Sequence, residues 1–191
     1  MPRDYSPAVT PPNFARRAEL ALDDAGITDF LSRARLGHIA TAWDGQPFIN
    51  PTTFWHDAPR RRLIFHSNIA GRMRANADHD GRACFSASEY GRFLPSNVAL
   101  EFSVQYESVV AFGVVRVLAD PADQRAALTG LIGKYFPAMR PGAEYRPITD
   151  QELKRTSVYA LTIDQWSGKR NWPDRADQSD EWLALAEEWL A

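Results

Sequence analysis

The sequence predicts a mainly β fold, in which an antiparallel barrel carries a few peripheral helices. Six or seven short segments are rich in β-branched and aromatic residues and alternate with a period of two. Most of these segments follow one another with only a turn between them, which favours antiparallel pairing. Only three or four segments have helical spacing of their apolar residues. These observations together indicate a β barrel and exclude an alternating α/β architecture.

Composition restricts the class of protein further. The 191 residues suffice for one domain, and 45% hydrophobic residues can form a full core. The 22 basic and 24 acidic residues give a net charge of −2, so we expect no nucleic-acid partner. No apolar run reaches the roughly 18 residues of a membrane-spanning helix, so we expect no membrane partner. The single cysteine and the lack of an apolar signal sequence predict a cytoplasmic protein.

The N-terminal region divides into two parts. Residues 1–15 contain four prolines without periodicity and are predicted to form an extended Pro-rich arm. Residues 15–35 have apolar residues at helical spacing and predict one or two short amphipathic helices. Thr28 follows Gly26 and is the expected N-cap of the second helix. The main domain is therefore predicted to span residues 16–172.

Three strands are predicted next, over residues 36–43, 47–55 and 62–67. The dipeptide Asp44-Gly45 between the first two is a strong hairpin signal, because both residues tolerate the positive φ angles of a type I′ turn. Since the three segments are consecutive, we expect them to form an antiparallel meander.

The middle of the chain contains one further helix and two further strand regions. Residues 71–80 are helical in composition, and residues 82–88 predict a fourth strand. Residues 89–100 contain several breakers and form the least regular internal segment. Residues 101–118 are dense in valine and aromatic residues and predict two strands or one bent strand, with Gly113 at a bulge or kink.

The C-terminal third is predicted to add two helices and a last strand. Residues 121–135 predict a helix that begins at a proline, and residues 159–165 predict the strand. Residues 173–191 form a tail, in which residues 180–190 predict a short acidic amphipathic helix.

The segment from Phe65 to Arg74 is the main candidate for chemistry. A strand ends there in a polar cluster, and Gly71 and Arg72 then begin a helix. A helix start offers unpaired N–H groups, and arginine adds bidentate donors, so the segment suits a phosphate ester. An ordinary strand-to-helix turn with solvated arginines is the alternative. The four histidines are scattered without metal-ligand spacing, so no metal site is expected.

Residues 36–78 contain, in order, LGHIATAW, DGQPFINPTTFWHD and RLIFHSNIAGRMRANAD. This order resembles the FMN-binding split-barrel superfamily that contains pyridoxamine 5′-phosphate oxidase. The later strings LPSNVALEFSVQYESVVAFG and LKRTSVYALTIDQWSGKRNW are similar to Nim-type 5-nitroimidazole resistance proteins. The resemblance implies a six-stranded antiparallel split β-barrel that forms a homodimer, with two equivalent flavin sites across the dimer interface.

The resemblance also implies FMN as the cofactor and assigns residues to its phosphate. Arg72 corresponds to the family's phosphate-binding arginine, and Gly71 lies at the helix start. Ser67 and Asn68 precede this pair in the motif. Met73 occupies the position at which many relatives have a lysine, which removes one positive charge from this site.

Further cofactor candidates come from two other strands. Four consecutive residues of the second strand would run beneath the isoalloxazine ring: Asn50, Pro51, Thr52 and Thr53. Trp166 and Lys169 would approach the flavin or substrate from the partner subunit, although Trp166 could equally fill the dimer interface. Gln105 is a further candidate, because it lies on a strand whose alternate residues face the barrel interior.

The function implied by the resemblance is that of a flavin-dependent reductase. FMN would accept a hydride from transiently bound NAD(P)H and reduce a nitroaromatic or similar small acceptor. His66 is both a cofactor-site residue and the catalytic candidate, because an imidazole with a pKa of about 6.5 can donate a proton at neutral pH. The alternative is a flavin- or haem-binding protein that stores or senses a cofactor without turnover.

Overall fold

The computed structural model describes residues 6–190. Its centre is one antiparallel sheet of eight strands in the order β3-β2-β6-β7-β8-β5-β4, with β1 attached to β8. The strands are β1 (Ala21–Leu22), β2 (Gly37–Trp43), β3 (Gln46–Thr52), β4 (Trp55–Asp57), β5 (Arg62–Asn68), β6 (Arg82–Leu94), β7 (Ser103–Val117) and β8 (Thr156–Asn171). Because β1 and β4 have only two and three residues, six strands are long. The prediction of a mainly β split barrel is confirmed.

Five helices lie around the sheet. They are α1 (Asp24–Arg33), α2 (Arg72–His79), α3 (Pro121–Tyr135), α4 (Asp150–Leu153) and α5 (Glu187–Leu190). The bounds of α3 agree with those predicted, because Asp120 caps its first turn and Pro121 starts it. No helix in residues 6–190 has the length and apolar character needed to cross a lipid bilayer. Within the predicted Pro-rich arm, residues 1–5 lie outside the described residues, and residues 6–17 form turns and bends.

The predicted N-cap of α1 is wrong. The helix begins at Asp24, and Asp23 is its N-cap, because the Asp23 side chain accepts a hydrogen bond of 2.8 Å from the Gly26 N–H. Thr28 therefore lies inside the helix. Ile27, Phe30 and Leu31 bury the apolar face of α1 against the barrel core.

The predicted hairpin between β2 and β3 is confirmed. Asp44 and Gly45 both have positive φ angles, 46° and 79°, as a type I′ turn requires. The turn aligns Trp43 with Gln46, and pairing continues to Gly37 and Thr52. In this sheet β3 pairs only with β2, so it forms an edge.

The predicted three-strand meander is wrong. β5 does not pair with β3 but lies between β4 and β8. The chain leaves β3 after Thr52 because Phe54 turns into the core, where the Tyr135 hydroxyl is within 3.0 Å of its backbone N and 3.1 Å of its carbonyl oxygen. Residues 62–65 of β5 are all buried, so this strand needs cover on both faces and a neighbour on each side.

Two of the remaining strands, β6 and β8, are longer than predicted, whereas β7 lies within the predicted range of residues 101–118. β6 extends to Leu94 through an irregularity between Tyr90 and Phe93, which absorbs the expected breaker at Gly91. β7 is one strand, and its register against β8 shifts between Phe112 and Gly113. A Cβ atom at residue 113 would collide with the carbonyl oxygen of Thr162. The predicted irregularity at Gly113 is thus confirmed, and its cause is a close backbone approach.

The predicted acidic helix over residues 180–190 is largely wrong, because only Glu187–Leu190 is helical. The Asn97 side chain donates hydrogen bonds to the carbonyl oxygens of Ser179 and Leu183. The Ser96 hydroxyl donates to the carbonyl oxygen of Asp177 at 2.6 Å. These bonds hold the tail along the β6–β7 connection, and the bond to Leu183 uses a carbonyl group inside the predicted helix.

The two faces of β5 contribute to different cores. Leu63 and Phe65 point into the barrel, where the Phe65 ring stacks on Tyr159 with centroids 5.0 Å apart. Ile64 points to the other face and packs in a smaller cluster with Ala127 of α3. The residues that follow on β5 alternate between these two faces, so the position of each residue determines which face its side chain lies on.

Candidate functional site

The link between β5 and α2 forms an open, positively charged turn. Asn68 ends β5, and its side-chain oxygen accepts a hydrogen bond of 3.2 Å from the N–H of Ala70. Gly71 then has a φ angle of 134°, which is strained for any residue with a side chain. No side chain caps the start of α2. The first N–H groups of the helix therefore remain available to an anion.

Arg72 and Arg74 have different roles in this turn. Arg72 is exposed, its guanidinium lies 6.0 Å from the centre of the Trp43 ring, and no described carboxylate is within salt-bridge distance. Arg74 binds Asp78 at 2.7 Å and donates to the hydroxyl of Ser157 at 3.1 Å. Arg72 is therefore the arginine that is free to bind a ligand, whereas Arg74 fixes α2 to β8.

The other predicted phosphate-site residues are placed differently from one another. Ser67 lies beside Asn68, and its hydroxyl is 3.0 Å from that of Tyr159. The Met73 side chain is only 5% exposed and packs in the main core, so it is not available to a bound group. Ser67, Asn68, Gly71 and Arg72 thus lie within one stretch of six residues at this turn, whereas the Met73 side chain is buried in the core.

The predicted residues of β3 lie along the free edge of the sheet. Asn50 and Pro51 pair with β2, and their other side has no neighbouring strand. Thr52 is buried and donates to the carbonyl oxygen of Thr53 at 2.9 Å, whereas Thr53 is exposed. Backbone groups along this edge are accessible to a ligand.

The remaining three cofactor candidates do not reach Arg72 within one chain. Gln105 is buried, accepts from the Arg92 N–H and donates to the Pro173 carbonyl oxygen at 2.8 Å, so it holds the C-terminal tail. Trp166 donates to Asp24 at 2.7 Å. Both Trp166 and Lys169 lie at the far end of β8 from Thr156, which pairs with Asn68. Ten residues of strand separate Trp166 from Thr156, roughly 30 Å.

His66 points away from the phosphate turn. Its side chain shares the Ile64 face of β5 and stands at the mouth of a cavity of about 400 Å³ below α3. The cavity is also lined by Leu128, Leu131, Ile132, Tyr145, Arg146, Ile148, Glu152 and Thr156. Partial desolvation lowers the pKa of His66 below its usual 6.5, which favours the neutral imidazole.

The loop residues of this cavity were missed from the sequence. Arg146 forms a two-point contact with Glu152, with one N–O distance of 2.8 Å. Glu152 also completes a capping box with Thr149 at the start of α4. The Thr149-x-x-Glu152 spacing was a usable signal for this helix start. Among the described residues, no group of three or more His, Cys, Asp or Glu side chains could hold a metal ion.

Comparison with known proteins decides the family. A family model described as pyridoxamine 5′-phosphate oxidase matches residues 23–170. The chain belongs to this family. The predicted membership of the flavin-binding split-barrel superfamily is thereby confirmed. No curated protein sequence matches the chain.

Solved structures with the same fold include three informative relatives. A FAD and haem binding protein from Mycobacterium smegmatis is 28% identical, with a TM-score of 0.73 over 83% of this chain and 76% of that chain. The flavocytochrome Anf3 from Azotobacter vinelandii is 24% identical, with a TM-score of 0.77 over 88% and 76%. A candidate 5-nitroimidazole antibiotic resistance protein from Bacteroides thetaiotaomicron is 18% identical, with a TM-score of 0.66 over 78% and 86%.

The turn before α2 fits the anionic end of a flavin in a pyridoxamine 5′-phosphate oxidase-like protein. Every flavin nucleotide carries at least one phosphate, which needs cationic or N–H donors. Arg72 supplies a guanidinium that the described chain leaves without a carboxylate. The uncapped start of α2 supplies N–H groups beside it. A side chain at position 71 would meet no neighbour within 4 Å, so space for a ligand is open there.

Proposed function

We propose that this protein is a flavin-dependent oxidoreductase that binds the flavin phosphate at the start of α2. The exposed guanidinium of Arg72 carries this proposal, since it has no carboxylate partner in the described chain and lies at an uncapped helix start. Charge-assisted hydrogen bonds from arginine to phosphate are among the strongest polar contacts in proteins. Membership of a flavin-binding family supports the choice of ligand.

The residues around this turn would orient the flavin. Ser67 and Asn68 lie next to the phosphate position, and the edge of β3 offers backbone groups between Asn50 and Thr53 to the polar side of the ring. When bound, the flavin supplies hydride and electron transfer. The chain itself binds the phosphate, positions the ring and limits access of water.

The proposed activity is the reduction of a nitroaromatic or similar small acceptor, with FMN as the flavin and NAD(P)H as a transient donor. The resemblance to Nim-type proteins supports this acceptor class. We further propose a homodimer, because Trp166 and Lys169 lie too far from Arg72 to meet the same flavin within one chain. Several large apolar side chains near the C-terminal tail are exposed and could be covered by a second copy: Tyr90, Phe93, Leu100, Trp182, Leu183 and Trp189.

An anaerobic assay tests the proposed activity. The purified protein is loaded with FMN or with FAD, and NAD(P)H oxidation is followed with and without a 5-nitroimidazole. We expect oxidation that depends on both flavin and acceptor, with one flavin bound more tightly than the other. Binding of neither flavin would contradict the proposed site, whereas binding without acceptor-dependent turnover would contradict only the reductase activity.

The cavity beside His66 favours a second candidate function, that of a combined flavin and haem protein. A neutral imidazole is the form that binds iron, and the side chains of Leu128 and Leu131 provide apolar cover. Arg146 also lines the cavity, where its guanidinium is paired with Glu152. The 28%-identical relative from Mycobacterium smegmatis is a FAD and haem binding protein, which supports this candidate. Such a protein would store or sense a cofactor, or transfer electrons, without necessarily turning over a substrate.

Substitution of His66 separates its two proposed roles. If His66 is an iron ligand, His66→Ala abolishes the Soret band of the haem-reconstituted protein. Flavin affinity stays within about threefold of the wild-type value, because the Arg72 contacts remain. If His66 instead donates a proton to the acceptor, the protein takes up no haem, and the same variant lowers the rate of nitro reduction by roughly 10²–10⁴-fold. His66→Gln keeps a hydrogen-bond donor and restores neither function. An unchanged Soret band together with unchanged turnover contradicts both roles.

A further inference from the structure

A cleft between α1 and α3 lies apart from both sites described above. It consists of two adjoining cavities of about 370 and 400 Å³, which share Ser32 and Lys134. His56 lines the first cavity and pairs with Leu63 near the beginning of β5. Leu63 is five residues from Asn68, roughly 17 Å along the strand. The cleft is therefore at the opposite end of β5 from Arg72.

The lining of this cleft is cationic. Arg33, Arg35 and Lys134 contribute to it, and within residues 6–190 neither cavity is lined by an aspartate or a glutamate. Arg33 is already bound to Glu89 and Glu107. Across the described part of the chain, Arg35 and Lys134 have no carboxylate within salt-bridge distance. Two positive charges in a concave site thus remain without a counter-ion.

Lys134 keeps donor capacity in this cleft. Its ammonium group donates one hydrogen bond of 2.9 Å to the Leu31 carbonyl oxygen and lies 3.5 Å from the centre of the Phe54 ring. Burial lowers the pKa of Lys134 from 10.5 to about 8. An ammonium group has three donors, so two remain after the bond to Leu31. A bound anion would compensate for part of the burial of this charge.

Gly133 leaves the wall of the cleft open. A glycine inside a helix costs about 1 kcal/mol relative to alanine, so its presence needs a reason. Gly130 has one, because a Cβ atom there would collide with the Trp55 ring. A Cβ atom at residue 133 would meet nothing within 4 Å. Packing within this chain therefore does not require Gly133, whereas a ligand in the cleft would benefit from the space.

We propose that the cleft between α1 and α3 binds the phosphate group of a small phosphorylated molecule. Arg35 offers the planar donor pair that matches phosphate oxygens, and Lys134 adds a second cation. Thr28 and Ser32 also line the cleft, and the Ser32 hydroxyl already donates to the carbonyl oxygen of Asp29 at 2.6 Å, so Thr28 is the hydroxyl left to a ligand. The cavities exceed the size of a free phosphate, and Trp55 and Phe136 provide apolar surface for the remainder of the molecule.

Calorimetric titration at constant ionic strength tests this site, with inorganic phosphate and phenyl phosphate as probes. The Arg72→Ala protein is the starting point, since it removes the proposed flavin-phosphate site. We expect saturable binding there, weakened at least about tenfold by Arg35→Gln or Lys134→Met. Arg116→Gln is the matched control, because Arg116 is exposed on β7 outside the cleft. Tighter binding of phenyl phosphate identifies a phosphate monoester as the ligand, and equal binding identifies free phosphate.

The pH dependence of binding gives a readout that folding defects do not produce. The charged and titratable groups near Lys134 are Arg33 at the end of α1, Arg35 after it, His56 on β4, Tyr135 on α3 and Glu89 on β6. Phenyl phosphate is the probe for this experiment, because a phosphate monoester with a second pKa of about 6 is already mostly a dianion at pH 7. Loss of the Lys134 proton above about pH 8 removes a cation, so the affinity for phenyl phosphate should fall about tenfold between pH 7 and pH 9.5. Lys134→Arg should bind at both pH values, because arginine stays charged.

Three results would overturn the proposal. The first is the absence of saturable phosphate binding in the Arg72→Ala protein. The second is equal affinity in Arg35→Gln and in the starting protein, provided that circular dichroism shows both to be folded. The third is an affinity of the Arg72→Ala protein that does not change with pH and equals that of Lys134→Arg made in the same background. None of these results bears on flavin binding, which Arg35→Gln should leave unchanged.

Discussion

Separate replacement of Arg72 and Arg74 should affect different properties: the first should weaken flavin binding, and the second should lower stability. The two arginines are two residues apart on α2, yet only Arg74 has side-chain partners in the described chain. Arg72→Ala removes no hydrogen bond to another residue in the range 6–190, so the free energy of unfolding should change by no more than about 0.5 kcal/mol. The effect of Arg72→Ala should instead appear as a lower affinity for the flavin.

The size of each effect follows from the contacts. A charge-assisted contact to phosphate contributes about 1.5–3 kcal/mol, so Arg72→Ala should weaken flavin binding about 10- to 150-fold. Arg74→Ala leaves the Ser157 hydroxyl without its arginine donor at a site that is 1% exposed. An unsatisfied buried hydroxyl costs about 1–3 kcal/mol, and this loss should appear as lower stability with flavin affinity nearly unchanged.

Two measurements on each variant check this division. Quenching of flavin fluorescence gives the affinity, and urea unfolding of the flavin-free protein gives the stability. Arg72→Lys is the conservative control, since it keeps the charge but loses the planar donor pair. If Arg74→Ala weakens flavin binding as much as Arg72→Ala does, the reasoning is refuted. Arg72 would then not be the arginine that specifically binds the flavin phosphate.

Three further predictions concern the scaffold. The pKa of Asp123 is lowered by its hydrogen bond to Arg62, so the stability it contributes is present above its unfolded pKa of about 3.8 and is lost as pH falls through the lower folded value. Asp123→Asn should therefore be less stable at pH 6 and lose less stability between pH 6 and pH 3, as measured by urea unfolding. Gly113→Ala should destabilise by at least about 2 kcal/mol in the same assay, because its methyl group meets the Thr162 carbonyl oxygen. Light scattering should return a dimer at micromolar concentration, and a monomer of 21.5 kDa would contradict the shared flavin site.

Local signals predicted the elements well, and tertiary contacts explain the errors. The β2–β3 hairpin and α3 were predictable because Asp44-Gly45 and Asp120-Pro121 determine their own turn and helix start. The pairing of β5 with β8 was not, because those strands are about ninety residues apart in sequence. The tail helix failed for a similar reason, since Asn97, which lies far earlier in the chain, binds the carbonyl groups of Ser179 and Leu183.

The candidate site was predictable in part. The motif identified Arg72 and Gly71, and the structure leaves both open to a ligand. His66 and Ser67 were assigned to one site although adjacent strand residues point to opposite faces, a consequence of the two-residue period that sequence alone could have supplied. The cleft around Lys134 could not have been found in this way, because α1, β4 and α3 contribute its lining from separate parts of the chain.

The free edge of β3 has a consequence for the protein before it meets any partner. An unpaired strand edge is a template on which other chains can add strands and aggregate. Two of the seven residues on this edge, Pro47 and Pro51, have no N–H group to offer an incoming strand. The flavin-free protein can therefore expose this edge with a lower risk of aggregation. The two prolines interrupt the hydrogen-bond ladder that a misfolded neighbouring chain would need, and they leave the edge accessible to a small molecule.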